Sequence, residues 1–340
     1  MSEVLERLSD DPLPSAPRVL FMGTPDFAVP ALRSLHRWCE SRGGEVVAVV
    51  SQPDRPKGRG KRLQRTPVAM VADELGLACY QWSRLSQESY DQLRDLKYDL
   101  AVVIAYGKIL PKRYLILPPW GCINLHASLL PSYRGAAPIQ WAIINGERET
   151  GVSVMRLDEG MDTGPVAHTL RCAIERDDTS ESLFLKLSDL SARALVEALN
   201  LWVLDSKLNM LDFQQQSECG VSHAPMLKKS DGMLDWSLSA SRLEDLCRGV
   251  SPWPGAHTSF MGEPLKVKTL VAVSEEELND SQRAWEPGVV VELDERGPMI
   301  RCGQGAAILT TVQRPSKRAT TGAEFYRGYD LQLGLFLSEC

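Results

Sequence analysis

The 340-residue chain holds eight cysteines (Cys39, Cys79, Cys122, Cys172, Cys219, Cys247, Cys302, Cys340) but no Cys-x-x-Cys pair. Their even scatter argues against a structural zinc site and a secreted disulfide framework, and points to thiols in a reducing cytoplasm. Long apolar runs are also missing: the longest, residues 46–50 and 101–106, are strand-sized, against the roughly 20 residues of a membrane helix. There is no excess of positive charge. Lys plus Arg number 38 against 44 Asp plus Glu, a net charge of −6, which excludes a uniformly basic nucleic-acid coat but leaves room for a local basic patch. Residues 1–17 carry Glu3, Glu6, Asp10 and Asp11 against one Arg7. They therefore lack the basic region of a secretory or transit peptide and read as a flexible extension.

Two nucleotide cradles are absent as well. The turn Gly23, Thr24, Pro25, Asp26 lacks the Gly-x-Gly-x-x-Gly of a dinucleotide site. Gly60-Lys61 and Gly107-Lys108 are followed by Arg62 and Ile109, where a P-loop needs Ser or Thr.

What is present is alternation. Short β-branched runs at 19–22, 46–50, 100–105, 122–125 and 152–157 read as strands. They are separated by helical patterns at 27–38, 68–75, 87–96, 137–145 and 179–204, the organisation of βαβ units and of a Rossmann-like, mostly parallel sheet. Asp178 with Glu181 three residues on predicts the start of the last helix. Residues 207–222, with Gln214, Gln215 and Gln216 and few apolar side chains, read as a linker. Beyond it, strand-like runs at 265–273, 288–293, 299–302 and 307–312, after a helix near 241–248, predict a small β-barrel or sandwich.

Three clusters carry chemistry. Asn124 and His126 stand two apart on a predicted strand, so both leave one face of the sheet near its carboxyl end, where open α/β sheets hold ligands. An isolated histidine is more often a hydrogen-bonded core residue, but the polar Asn124 on the same face argues against that here. A glycine-rich loop after the next strand carries Asp158, Glu159 and Asp162. Its spacing is not that of a calcium loop; the acids are either solvated or one of them orients His126. Third, Arg55, Lys57, Arg59, Lys61, Arg62 and Arg65 fall within eleven positions that contain no acid, on a Pro- and Gly-rich loop. Such a run is usually a solvated face, yet against a net charge of −6 it is what a phosphate-backbone contact would look like. Residues 223–340 hold 13 basic and 16 acidic groups, so that part is not generally cationic.

The residues that carry a family resemblance are 21–27 (Phe-Met-Gly-Thr-Pro-Asp-Phe), 52–56, 58–61, 105–111 (Ala-Tyr-Gly-Lys-Ile-Leu-Pro), 123–131 (Ile-Asn-Leu-His-Ala-Ser-Leu-Leu-Pro), 134–140 and 160–164 (Gly-Met-Asp-Thr-Gly), with Asp235-Trp236 and Pro252-Trp253-Pro254. On these the chain resembles the methionyl-tRNA formyltransferases over nearly its full length from about Arg18. The resemblance implies a Rossmann-like catalytic domain over 18–206, a linker over 207–222 and an OB-like tRNA-binding barrel over 223–340. It implies formyl transfer from 10-formyltetrahydrofolate, released as tetrahydrofolate, to the α-amino group of methionyl initiator tRNA for translation initiation, with no metal, by a monomer in the cytoplasm and away from membranes. A formyltransferase for a small amine such as an amino sugar is the alternative. Asn124, His126 and Asp162 are then the catalytic trio. Ser128, Leu129, Leu130 and Pro131 belong to the folate site, Tyr106, Ile109 and Leu110 line its pterin pocket, and the six basic residues from Arg55 to Arg65 read the acceptor stem.

Overall fold

The computed structural model describes residues 3–9, 11–57, 62–203 and 212–337. In chain order the elements are β1 (Arg18–Gly23), α1 (Val29–Glu40), β2 (Glu45–Val50), β3 (Arg55–Lys57), β4 (Arg62–Gln64), α2 (Pro67–Glu74), β5 (Cys79–Tyr80), α3 (Gln87–Asp95), β6 (Leu100–Ile104), α4 (Lys112–Leu115), β7 (Cys122–His126), α5 (Pro138–Ile144), β8 (Glu149–Arg156), β9 (Val166–Ala173) and α6 (Ser180–Val203). They continue with α7 (Ala240–Gly249), β10 (Ala256–Phe260), β11 (Glu263–Val273), α8 (Asp280–Arg283), β12 (Val290–Asp294), β13 (Gly297–Arg301), β14 (Ala306–Gln313), β15 (Thr320–Thr321) and α9 (Gly322–Gly328). The chain divides into two compact units. One gathers Met1–Gly135, Glu149–Ala173 and Phe184–His223, the other Ala136–Arg148, Ile174–Leu183 and Ala224–Cys340.

The first unit is built on a seven-stranded sheet in the order β5-β2-β1-β6-β7-β8-β9. Strands β5 to β7 run parallel, and β8 and β9 are antiparallel additions. The α/β class and the mostly parallel sheet expected from the alternation are therefore present. The apolar runs that read as strands are buried along their whole length in β6, as a sheet covered on both faces requires. Strand β9 has no such run, because its exposure alternates along an edge.

Two expectations for this unit change. The described part of the N-terminal extension is not frayed: Val4 and Leu8 join the core cluster of Tyr114, Leu115 and Cys122, Ser9 N–H donates to the Pro119 carbonyl at 2.8 Å, and Leu13 N–H donates to that of Trp202 at 3.2 Å. Leu8 lies over Gly121, whose φ of +75° suits glycine and where a Cβ would meet Leu8 Cδ1 at 2.5 Å. The acidic residues hid three buried apolar anchors in a short stretch. Nor are residues 55–57 and 62–64 a loop: Arg55 pairs with Gln64 and Lys57 with Arg62 in the antiparallel strands β3 and β4.

The second unit carries an antiparallel sheet in the order β10-β11-β14-β13-β12, with β15 on β14. Leu265, Val267 and Leu270 of β11 join Leu309 and Val312 of β14, Ile300, Val290 and Phe260 in one core, closed over by Leu243 and Cys247 of α7 and Phe325 of α9. Among the described residues no pairing joins the edge strands β10 and β12, and the unit is described by its antiparallel sheet. Helix α5, placed by sequence order in the catalytic part, belongs to this unit because Ala137 and Ile144 share its apolar cluster. The N-cap of α6 is Thr179, whose Oγ1 accepts from Ser182 N–H at 3.3 Å. Asp178, expected there, accepts instead from Glu175 N–H at 2.8 Å and from the Ser182 hydroxyl at 2.6 Å.

Candidate active site

The carboxyl ends of β6 and β7 set the site. Asn124 and His126 leave β7 on one face, as the two-residue spacing requires. Asn124 is half-buried, and among the described residues no hydrogen bond engages its carboxamide. His126 is 6% exposed. Its Nε2 lies 2.8 Å from the carbonyl oxygen of Tyr133, an acceptor only, so Nε2 carries the proton. The other ring nitrogen, Nδ1, faces Oδ2 of Asp162 at 3.6 Å. The ring is thus held by a backbone carbonyl, and Nδ1 is the nitrogen left to exchange a proton.

Of the three acids in the loop after β8, only Asp162 reaches the histidine. Oδ1 of Asp158 accepts from Gly160 N–H at 3.0 Å and from the Thr163 hydroxyl at 2.7 Å. Glu159 faces Lys112 at 3.5 Å. Asp162 sits at a φ of +53°, in the left-handed region that non-glycine residues rarely enter, and Oδ2 also accepts the Gly135 N–H at 2.9 Å. Gly164 closes the turn so tightly that a Cβ would lie 1.9 Å from the Arg156 carbonyl oxygen.

The residues expected around the folate are distributed unevenly. The Ser128 side chain is fully buried and donates to the Ser132 carbonyl at 2.6 Å. Its own carbonyl accepts from Ser153 Oγ at 2.8 Å, and the Leu130 N–H donates to that same hydroxyl at 3.1 Å. Leu129, Leu130 and Pro131 are half-buried. On the loop leaving β6, Leu110 is buried while Ile109 is 85% exposed. Tyr106 is buried, and its hydroxyl has no partner among the described residues. Burial pushes that phenol up to about 12. The Tyr106 carbonyl accepts from the Thr24 hydroxyl at 3.0 Å and from Gln52 Nε2 at 3.1 Å.

Those three residues help line a cavity of about 710 Å³ that is bordered also by Pro25, Arg55 and Arg65. Arg55 is exposed. Arg65 is committed within the protein: Nε and Nη2 donate to Asp73 at 2.6–3.0 Å and Nη1 donates to Gln81 at 3.0 Å. Lys57 and Arg62 lie in the hairpin strands; Arg59 and Lys61 lie outside the described residues.

Cys122, on the same strand, is no rival nucleophile. Burial pushes its thiol up to about 12, and the unreactive thiol form is the one present near neutrality. Among the described residues no three His, Cys, Asp or Glu side chains are grouped so as to hold a metal ion, and no helix is long and apolar enough to cross a membrane.

Sequence reasoning missed the groups that hold the site from a distance. Tyr133 contributes a carbonyl, Gly135 an N–H, and the described part of the expected linker takes part directly. Gln214 exchanges both backbone hydrogen bonds with Val166, at 2.8 and 2.9 Å, and Gln216 reaches Asp162 and Gly164. The spacing of residues carries no signal for such contacts.

Comparison with known proteins places these features in a family. The formyl transferase model matches residues 17–199, and the model of the formyl transferase C-terminal domain matches 226–330. A methionyl-tRNA formyltransferase of Geobacter sulfurreducens is 41% identical over 323 residues, covering 95% of this chain and 97% of that one. The Acetivibrio thermocellus protein of the same name is also 41% identical over 323 residues, covering 95% of this chain and all of its own length. Among solved structures, WlaRD, described as a sugar 3N-formyl transferase in the presence of dTDP and 5-N-formyl-THF, shares the fold with a TM-score of 0.62 at 15% identity over 89% of this chain and 99% of its own. On the strength of the two family matches and the identity along nearly its whole length, the chain belongs to the methionyl-tRNA formyltransferase family of the formyl transferases.

Proposed function

We propose that this enzyme transfers the formyl group of 10-formyltetrahydrofolate to the α-amino group of methionyl initiator tRNA, giving N-formylmethionyl-tRNA for translation initiation. The observation that carries the reading is relatedness to methionyl-tRNA formyltransferases along nearly the whole chain, whereas the sugar formyl transferase resembles it in fold alone.

The donor supplies the formyl carbon and leaves as tetrahydrofolate with a proton on N10. The chain's own residues do the rest. The Asn124 carboxamide, uncommitted among the described residues, donates to the formyl oxygen as negative charge develops there, a role in which one lost donor costs about 10²–10³ in turnover. His126 Nδ1 receives the proton of the attacking amine and returns it towards the leaving nitrogen. While the ring is charged, Asp162 faces it at 3.6 Å. The Tyr133 carbonyl keeps the other proton on Nε2 throughout. Exposed Ile109 and the half-buried 129–131 segment would flank the pterin, with Tyr106 and Leu110 behind it. Ser128 would shape the folate site from behind, since its hydroxyl and its carbonyl are both engaged within the protein.

On this reading the basic run meets the acceptor stem, with Arg55, Lys57, Arg59, Lys61 and Arg62 as its contacts, and the cavity beside Thr24 and Gln52 takes the aminoacyl end. Arg65 holds the hairpin to Asp73 rather than meeting phosphate. Residues 18–206 carry the chemistry, and 223–340 serve as an OB-like tRNA-binding module. There, exposed Lys266 and Lys268 alternate with buried Leu265 and Val267 along β11, giving a local basic strip on an otherwise acidic segment. The enzyme acts as a monomer and, given its substrates, in the cytoplasm.

The test is formyl transfer from 10-formyltetrahydrofolate to methionyl initiator tRNA, beside methionyl elongator tRNA, free methionine and a nucleotide-linked amino sugar. Product on the initiator tRNA alone is expected. Product on the amino sugar with none on either tRNA would replace this reading with that of a small-amine formyltransferase.

A further inference from the structure

Gln216 lies in the segment that reads as a linker, yet its carboxamide is fully committed. Nε2 donates to the carbonyl oxygens of Asp162 at 2.8 Å and Gly164 at 2.7 Å. Oε1 accepts from Arg134 Nε at 3.0 Å and Nη2 at 2.7 Å. Two donors and two acceptor positions are all that a glutamine has. The surrounding segment is pinned on both sides. Gln214 exchanges backbone hydrogen bonds with Val166. Ser222 Oγ accepts from Tyr133 N–H at 2.8 Å, and the Ser222 carbonyl accepts from Arg134 N–H at 2.9 Å.

Gln216 therefore joins the two turns that face each other across the imidazole. One turn carries Asp162 at its left-handed φ of +53°. The other presents the Tyr133 carbonyl to Nε2 and the Gly135 N–H to Asp162 Oδ2. A left-handed non-glycine residue persists only where its surroundings over-determine it, and the two bonds from Gln216, on the Asp162 carbonyl and two residues further on, bracket that residue's backbone. We propose that Gln216 is a positioning residue for formyl transfer, holding the Asp162 carboxylate against His126 by fixing the backbone of the Asp162–Gly164 turn through a bridge to Arg134. This rests on the reading of Asp162 and His126 as catalytic.

The test uses the full chain with Gln216→Ala, Gln216→Met, which keeps the volume but offers the carbonyls no donor, and Gln216→Glu, which keeps an acceptor for Arg134 but sets an anion against two carbonyl oxygens. Each is expected to lower kcat by about 10–100-fold, up to the roughly 10²-fold that a misplaced catalytic group costs, with KM for tRNA and for folate little changed and the thermal midpoint retained. The split between kcat and KM separates positioning from a general loss of structure, and Met serves where Ala does not fold. In single-turnover assays an Asp162→Asn background is expected to absorb most of the Gln216→Ala effect, because two residues acting through one contact are not additive. Wild-type kcat in Gln216→Met, or a full additive loss in the double variant, would overturn the proposal. If Asp162→Asn alone kept wild-type turnover, the reading beneath it would fall instead.

Discussion

Nδ1 of His126 lies 3.6 Å from Oδ2 of Asp162 while Nε2 of the same ring lies 2.8 Å from the Tyr133 carbonyl oxygen. The first distance is too long for a hydrogen bond but close for a charge pair once the ring is protonated. Asp162→Asn removes that charge while keeping an oxygen for the Gly135 N–H. It is expected to cut kcat by about 10²–10⁴ with KM little altered, the range for losing aligned acid–base catalysis. Steady-state kinetics on methionyl-tRNA check this, and a loss confined to KM would assign Asp162 to binding.

Thiol reactivity follows burial. The Cys122 thiol, pushed up to about 12 with its Sγ 3.6 Å from the Tyr114 carbonyl oxygen, is expected to resist alkylation in the native protein, while exposed Cys219 is labelled before it. Cys122→Ala is expected to keep turnover within about threefold of the parent, since direct attack by the amine needs no covalent enzyme intermediate. Mass spectrometry of partially alkylated protein and the kinetics of the variant are the two readouts.

The exposed Arg55 beside the cavity predicts a salt effect. If it contacts one phosphate, Arg55→Ala should flatten the slope of log affinity for tRNA against log salt by ~0.7–0.9, with folate affinity unchanged. An unchanged slope would remove Arg55 from the tRNA contact. Arg65→Ala, by contrast, is expected to act through stability, because that guanidinium already serves Asp73.

In the second unit, Glu275 accepts hydrogen bonds from the Gly305 N–H and from both terminal nitrogens of Arg301, at 2.9 and 3.1 Å. The Gly305 N–H first, and then Arg301, hold its carboxyl below the usual range. A depressed folded value means that the stabilisation is present above the unfolded value of about 4.3 and is lost as pH falls through the folded one. Glu275→Gln is therefore expected to unfold earlier than the parent in denaturant at pH 7, with the gap narrowing as both are taken to pH 3. An equal gap at both pH values would show that charge plays no part.

The sequence by itself determined the local and periodic features. Alternating apolar runs and helical patterns give the α/β unit, because a strand buried on both faces must be apolar throughout and so leaves a legible run, as residues 100–104 do. The two-residue spacing of Asn124 and His126 places both on one face by strand geometry alone, and the basic run at 55–65 is visible as composition. The edge strand β9, the short anchors Val4 and Leu8 and the helix α9 were not legible, since each gains its place by packing against residues far away in the chain.

Residue spacing left three loop acids open, family resemblance named Asp162, and the tertiary structure places its carboxylate against His126; only that structure decided which carbonyl holds the other ring nitrogen and that Arg65 is already paired. It also turned part of an expected linker into a support of the site, through Gln214 and Gln216. These are contacts between residues 7 to 82 positions apart, and no periodicity records them. A strand's register follows from the alternation of its own side chains, whereas a hydrogen bond between two loops exists only once the sheet has brought their ends together.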